Sequence, residues 1–276
     1  MLNQLKPLIQ QQSKRKRGRK AKAKPVRVSR KLELDYTRAL LAIVEDMHTE
    51  TVKALMPLIE QPSIGDGKRI VNDSIFSDFK SAFSKTANTV KAKVSGIAEA
   101  LAQTVVSKQG QQSDNQLREM ILSKTGIDFS GLMSDSVLKE AVDEAVAANI
   151  ALINSIPQQY LDRVEQAVMA SLQAGTLNDT LADELKKIRG VTDSRAKLIA
   201  RDQLGKINSR LSQIRQQSLG ITHYYWSTSH DERVRDRHRR WDGDLIAWDK
   251  PPIDGHPGQA IQCRCTAIPD LDFLTE

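Results

Sequence analysis

The chain has 276 residues, of which 39% are hydrophobic, 27% charged and only 4% aromatic, so a globular core must be built mainly from Leu, Ile, Val and Ala. Its net charge of +7 is unevenly spread: residues 1–31 hold twelve Lys or Arg and no Asp or Glu, which leaves the rest of the chain net acidic. Two cysteines only two positions apart, Cys263 and Cys265, exclude a disulfide scaffold and fit a reducing cytoplasm, Met1 to Gln10 lacks the long apolar region of a secretory signal, and no apolar run approaches the ~20 residues that span a bilayer.

The first segment, 1–31, reads as a disordered basic arm. Lys14, Arg15, Lys16, Arg17, Arg19, Lys20, Lys22 and Lys24 form a run whose mutual repulsion leaves nothing to bury. Such a run neutralises phosphate in a salt-sensitive, sequence-independent way. It has no aromatic residue to stack on a base, so a polyanion backbone without base reading is the expected contact, the alternatives being a solubility tail, a contact with an acidic protein or a nuclear import signal.

From Leu32 the pattern predicts helices. Leu40, Val44 and Met47, then Val52, Leu55 and Ile59, recur at helical spacing. Gln61-Pro62-Ser63 and Gly65-Asp66-Gly67 break the chain. Ile75, Phe79 and Phe83 begin a long helix to about Val106. The polar stretch Gln109 to Asn115 reads as a loop, followed by a short helix from Gln116 to Lys124 stopped at Gly126. Leu138, Val142, Val146 and Ile150 mark another helix. Ser155-Ile156-Pro157 reads as the cap and first turn of the next, with Leu161, Val164, Val168 and Leu172 as its apolar face. Asn178 caps a short helix ending at Gly190, and Asp193 starts a longer one to Gly220. Leu204, Ile207, Leu211 and Ile214 give that last helix a narrow apolar stripe, suited to a partner helix or to the chain's own core.

The composition changes at Gly220. All three tryptophans, four of five histidines and both cysteines follow it. Ile221 to Thr228 and Leu245 to Trp248 read as strands, Asp231 to Trp241 as a short helix, Asp242-Gly243-Asp244 as a turn, Lys250 to Gly258 as a loop, and Ile261 to Ile268 as a third strand. The expected fold is mainly α: a basic arm (1–31), an elongated multi-helix body (32–177), a helical connector (178–220) and a small α+β module (221–276).

Two chemistries suit this module. Cys263 and Cys265 on one strand face would point at one ion, with His238 as a third ligand and His256 or Asp231 completing a Zn2+ tetrahedron. Alternatively, His238 with Arg233, Arg235 and Asp231 could cleave a phosphodiester, the imidazole moving the proton and the arginines holding developing charge. No P-loop, H-E-x-x-H or ordered Ser–His–Asp set is present. The bland reading of the same residues is reduced, packed cysteines beside a solvated face of ordinary ion pairs.

Asp231-Glu232-Arg233-Val234-Arg235-Asp236-Arg237-His238, then Asp242-Gly243, Pro257-Gly258, Cys263-Arg264-Cys265-Thr266 and Pro269, together resemble the phage Mu protein F-like family. These are minor head, or head morphogenesis, proteins of tailed double-stranded DNA phages. Ala200-Arg201-Asp202-Gln203 resembles that family's A-R-T-E helix segment with its last two positions changed. The resemblance spans about residues 178–271. It implies a non-enzymatic minor capsid protein in the virion, at the portal vertex or capsid interior, passing through the host cytoplasm during assembly. The implied partners are the portal protein, a major capsid or scaffold protein and packaged DNA, with no membrane. It also marks the motif's histidines and cysteines as metal-ligand candidates.

Overall fold

The computed structural model describes Pro7 and residues 25–59, 73–126, 128, 135–174 and 179–272. The basic run Lys14 to Lys24, the predicted breaks at Gln61 to Gly67 and the Asn178 cap lie outside the described residues. Four long helices, α1 (Arg30–Ile59), α2 (Asp73–Thr125), α3 (Asp135–Ala174) and α4 (Asp179–Ser218), precede a small module of β1 (His223–Ser227), α5 (Asp236–Arg240), β2 (Leu245–Ala247) and β3 (Thr266–Pro269). The fold is mainly α with a small α+β C-terminal module, as the composition and periodicity indicate. No helix among the described residues is long and apolar enough to cross a membrane.

The long helices differ from the sequence-based expectation at three interruptions. Gln109 to Asn115 is not a loop but part of α2. Its polar groups are buried against α4: Gln109 Nε2 donates to Asn208 Oδ1 at 3.0 Å, and Asn208 Nδ2 donates to the Val26 carbonyl at 3.2 Å. Ser155-Ile156-Pro157 does not open a helix but lies inside α3. Pro157 removes one backbone donor, yet Ile153, Ile156, Tyr160 and Leu161 are all fully buried around it, and that burial outweighs one lost bond. Gly190 and Asp193 do not divide α4 either. There the Thr192 and Ser194 hydroxyls donate back to the carbonyls of Ile188 (2.8 Å) and Gly190 (3.0 Å), the helix-interior alternative to capping.

The chain divides into two compact units, each assembled from stretches far apart in sequence. The unit formed by Leu34–Ala102 and Ala147–Ala200 is entirely helical where described. Its buried apolar positions on α1, Leu40, Val44 and Met47, keep the helical spacing read from the sequence. Two polar contacts, one buried and one half-buried, add specificity to this core. The Tyr36 hydroxyl donates to Asn149 Oδ1 at 3.0 Å, and Tyr160 Oη lies 2.8 Å from His48 Nδ1. Burial raises the Tyr160 hydroxyl's pKa and lowers that of the His48 imidazole, so a neutral phenol donates to a neutral ring.

The other unit contains Met1–Glu33, Gln103–Val146 and Arg201–Glu276, and it carries the C-terminal module. The three strands form an antiparallel sheet in the order β2-β1-β3, with Tyr224 opposite Ile246 and Trp226 opposite Ala267. Alternate β1 residues Tyr224 and Trp226 point into a cluster with Trp248, Cys263, Cys265 and Ala267. The stripe Leu204, Ile207 and Leu211 of α4 is buried.

Beside that stripe, α4 presents Asp202, Gly205, Ser209, Ser212 and Gln216 at steps of three and four. Here the module docks. Gln262 N–H donates to Asp202 Oδ1 at 2.8 Å, Ser209 Oγ donates to the Pro257 carbonyl, and Gln216 Nε2 donates to the Ala267 carbonyl at 3.2 Å while its Oε1 accepts from Trp248 Nε1 at 3.2 Å. The third predicted strand is shorter than expected. Residues 261–265 are irregular and pairing begins at Thr266, because Gln262 takes a left-handed φ of 56° that no strand accepts.

Candidate metal centre in the C-terminal module

Three buried side chains converge behind the sheet. His238 sits on α5, five residues long, while Cys263 and Cys265 come from the irregular segment before β3. The two cysteines therefore share a target without sharing a strand face. Both sulfurs lie 3.5 Å from one atom, His238 Nδ1. Among the described residues these three form a group whose donor atoms all lie within 4.8 Å of one another, and none is more than 7% exposed.

The surroundings fix the imidazole. Trp241 stacks on it with centroids 5.4 Å apart and planes 24° apart, and Trp226 meets it edge-on at 5.1 Å. On the far edge of the ring, Nε2 faces Asp254 Oδ2 at 3.3 Å, and Arg237 holds the other carboxylate oxygen at 2.7 Å. Asp254 was not legible as a site residue: it lies in the Pro/Gly loop with no periodic signal.

The sulfurs are surrounded by N–H groups. Gly258 N–H donates to Cys263 Sγ at 3.4 Å. The Trp226 indole N–H has no hydrogen-bond partner within normal limits, and its dipole is directed at Cys265. Cys265 donates to Cys263, which with the Gly258 N–H pulls Cys263 down to about 5, while the same bond and burial push Cys265 up.

The other sequence candidates are placed elsewhere. His256 does not join the group: its Nδ1 lies 2.9 Å from Tyr224 Oη, and burial lowers its pKa. Asp231 is also outside it, paired with Arg264 at 2.6 Å. Arg235 donates to the Ile261 carbonyl at 2.8 Å, and Arg233 is exposed. The proposed phosphodiester set Asp231, Arg233, Arg235 and His238 therefore does not share one solvent-facing surface. His238 is only 2% exposed and points inward to sulfur, while the arginines point outward.

The motif's two halves are cross-linked at three places. Asp231 pairs with Arg264, Arg235 reaches the backbone of the cysteine segment, and His238 meets both cysteines. The Asp242-Gly243 turn closes the strand pair between them. Thr228 N–H donates to Asp242 Oδ1 at 2.7 Å, and Gly243, at φ 87°, donates its N–H to the Trp226 carbonyl at 2.8 Å. The string from Asp231 to Pro269 is thus tied together by its own contacts, a small α+β knob docked on a long helix.

Residues 162–268, the last third of α3 through most of β3, match the family described as phage Mu protein F like protein. A protein of Haemophilus influenzae (strain ATCC 51907 / DSM 11121 / KW20 / Rd), named only as an uncharacterized protein, is 37% identical over 266 residues. That alignment covers 94% of this chain and 58% of the relative, so the chain spans little more than half the relative's length. No solved structure gives a significant match.

Proposed function

We propose that this chain is a phage head morphogenesis protein: a minor capsid component at the portal vertex or capsid interior that assists procapsid assembly and contacts packaged DNA. The observation that carries this reading is the phage Mu protein F-like segment at 162–268, together with the role of its motif residues. They bind one another, His238 against both cysteines in the module's interior and Asp231 with Arg264 at its surface, as a docking knob requires. The helical body would meet the portal protein and the major capsid or scaffold protein. The arm, Lys14, Arg15, Lys16, Arg17, Arg19, Lys20, Lys22 and Lys24, would lie along DNA phosphates.

Two comparisons test this. The full chain, co-expressed with a portal protein from the same genome, is expected to co-purify with portal rings through size exclusion. Removing residues 1–31 should leave that association intact and abolish most duplex DNA retention. If eight phosphates are engaged, retention by the full chain should fall by about 10³–10⁵ between roughly 50 and 200 mM salt. A full chain that ignores portal rings, or DNA retention independent of the arm, would contradict the assignment.

A further inference from the structure

We propose that Cys263, Cys265 and His238 hold one zinc-class divalent ion through two sulfurs and Nδ1, with Asp254 as the outer partner that orients the imidazole. This stands apart from the head-assembly reading and does not depend on it.

The distances match such an ion. Metal–sulfur bonds of about 2.3 Å and a metal–nitrogen bond of about 2.0–2.1 Å at tetrahedral angles put sulfur and nitrogen about 3.5–3.6 Å apart. Both sulfurs stand 3.5 Å from His238 Nδ1. A hydrogen-bonded arrangement does not require two sulfurs on one nitrogen, because Nδ1 offers one lone pair or one proton. A shared ion does require it.

The second sphere agrees. A metal-ligating histidine commonly turns its other N–H to a carboxylate, and Asp254 Oδ2 stands 3.3 Å from His238 Nε2. Since the two ring nitrogens point in divergent directions, Asp254 cannot bind the same ion as Nδ1, and its place is in the outer shell. Arg237 at 2.7 Å fixes the carboxylate in turn. The Gly258 N–H on Cys263 and the indole N–H toward Cys265 are donors suited to thiolate sulfur.

Charge and chemistry close. The ion takes the place of the two thiol protons, which pass to solvent, and two thiolates neutralise a divalent cation. Soft sulfur with imidazole selects zinc over magnesium or calcium. No fourth His, Cys, Asp or Glu donor joins the group among the described residues, so the fourth position falls to water. The ion would staple α5 to the cysteine segment, a large gain for a module with three short strands.

The test uses purified full-length protein. Prepared without chelator, it is expected to carry about one equivalent of zinc. Zinc absorption-edge spectroscopy should show two sulfur neighbours near about 2.3 Å with the remaining neighbours nitrogen or oxygen. Cobalt substitution should give a thiolate-to-metal charge-transfer band. The double variant C263S/C265S and the variant His238→Asn should lose the ion, while His256→Asn and Asp231→Asn keep it. Asp254→Asn should retain one equivalent at saturating zinc with affinity lowered about 10–100-fold. Zinc below about half an equivalent after incubation with excess ion, an absorption edge without sulfur, or a site lost in His256→Asn but kept in His238→Asn would overturn the proposal. Because the wild-type spectra stand alone, a variant that fails to fold does not rescue it.

Discussion

Arg215→Ala is expected to lower the free energy of unfolding by about 3–5 kcal/mol, the scale of breaking a buried ion pair from one side. Arg215 lies on α4 and is 4% exposed. Its guanidinium donates to the Gly110 carbonyl at 2.9 Å and to Ser113 Oγ, and its Nε lies 3.5 Å from Asp114 Oδ1. Burial pulls the Arg215 pKa down, but three acceptors keep it charged. Truncation would leave the Ser113 hydroxyl and the Gly110 carbonyl with only each other, at 3.1 Å, beside a buried void. Asp114 would keep Arg118, 2.7 Å away, which places the effect toward the lower end of the range. Lysine cannot span three acceptors in a fork, so Arg215→Lys should cost nearly as much. Urea denaturation measures both. Because a buried pair is poorly screened, the loss should persist at high salt. A loss under about 1 kcal/mol, typical of a surface pair, would mean that the α2–α4 contact is not held by this network.

Gly258→Ala is the second large effect. Gly258 has φ +86°, and a Cβ there would stand 2.9 Å from Ser209 Cβ and 3.1 Å from the Gly205 carbonyl oxygen. The left-handed backbone costs about 1–2 kcal/mol for a residue with Cβ. Pushing the loop off α4 adds about 1–3 kcal/mol, for roughly 2–5 kcal/mol in all. Gly243→Ala separates the two parts. It has the same handedness, at φ +87°, with nothing within 4 Å of the added carbon, so only the backbone strain remains. Thermal unfolding should therefore show Gly258→Ala clearly below Gly243→Ala. Equal losses would refute the close docking of the 256–263 loop on α4. Moving Gly258 also removes its N–H from Cys263, so zinc retention should fall in the first variant and not in the second.

Much of the helical chain was legible because burial follows a 3.6-residue period. Leu40, Val44 and Met47 are buried as that period requires. The interruptions were misread where local chemistry conflicts with long-range packing. Ser113 and Asn208 are residues of loops and caps by propensity and Gln109 stands in a polar run, yet their partners lie about a hundred residues away, and no local pattern reveals that. The same holds for the α4 face. Asp202, Gly205, Ser209 and Gln216 form a regular stripe beside the apolar one, and that spacing was the available signal for the docking surface.

In the module, residue type identified Cys263, Cys265 and His238 as one group, while the route to their convergence differed. The strand alternation expected of Cys263 and Cys265 is replaced by the left-handed turn at Gln262, held by Asp202. Asp254 and His256 illustrate the limit. Two residues apart in one loop, one faces His238 and the other Tyr224. Only the folded path of the loop separates them.

The head-assembly reading is tested most directly by the protein content of gradient-purified heads from the phage or prophage that encodes this chain. Quantitative mass spectrometry should find the chain in full heads at a small, fixed ratio to the major capsid protein, and heads made without its gene should be fewer or retain less DNA. A chain confined to the unsedimented fraction, with heads unchanged in number and DNA content when its gene is deleted, would contradict it.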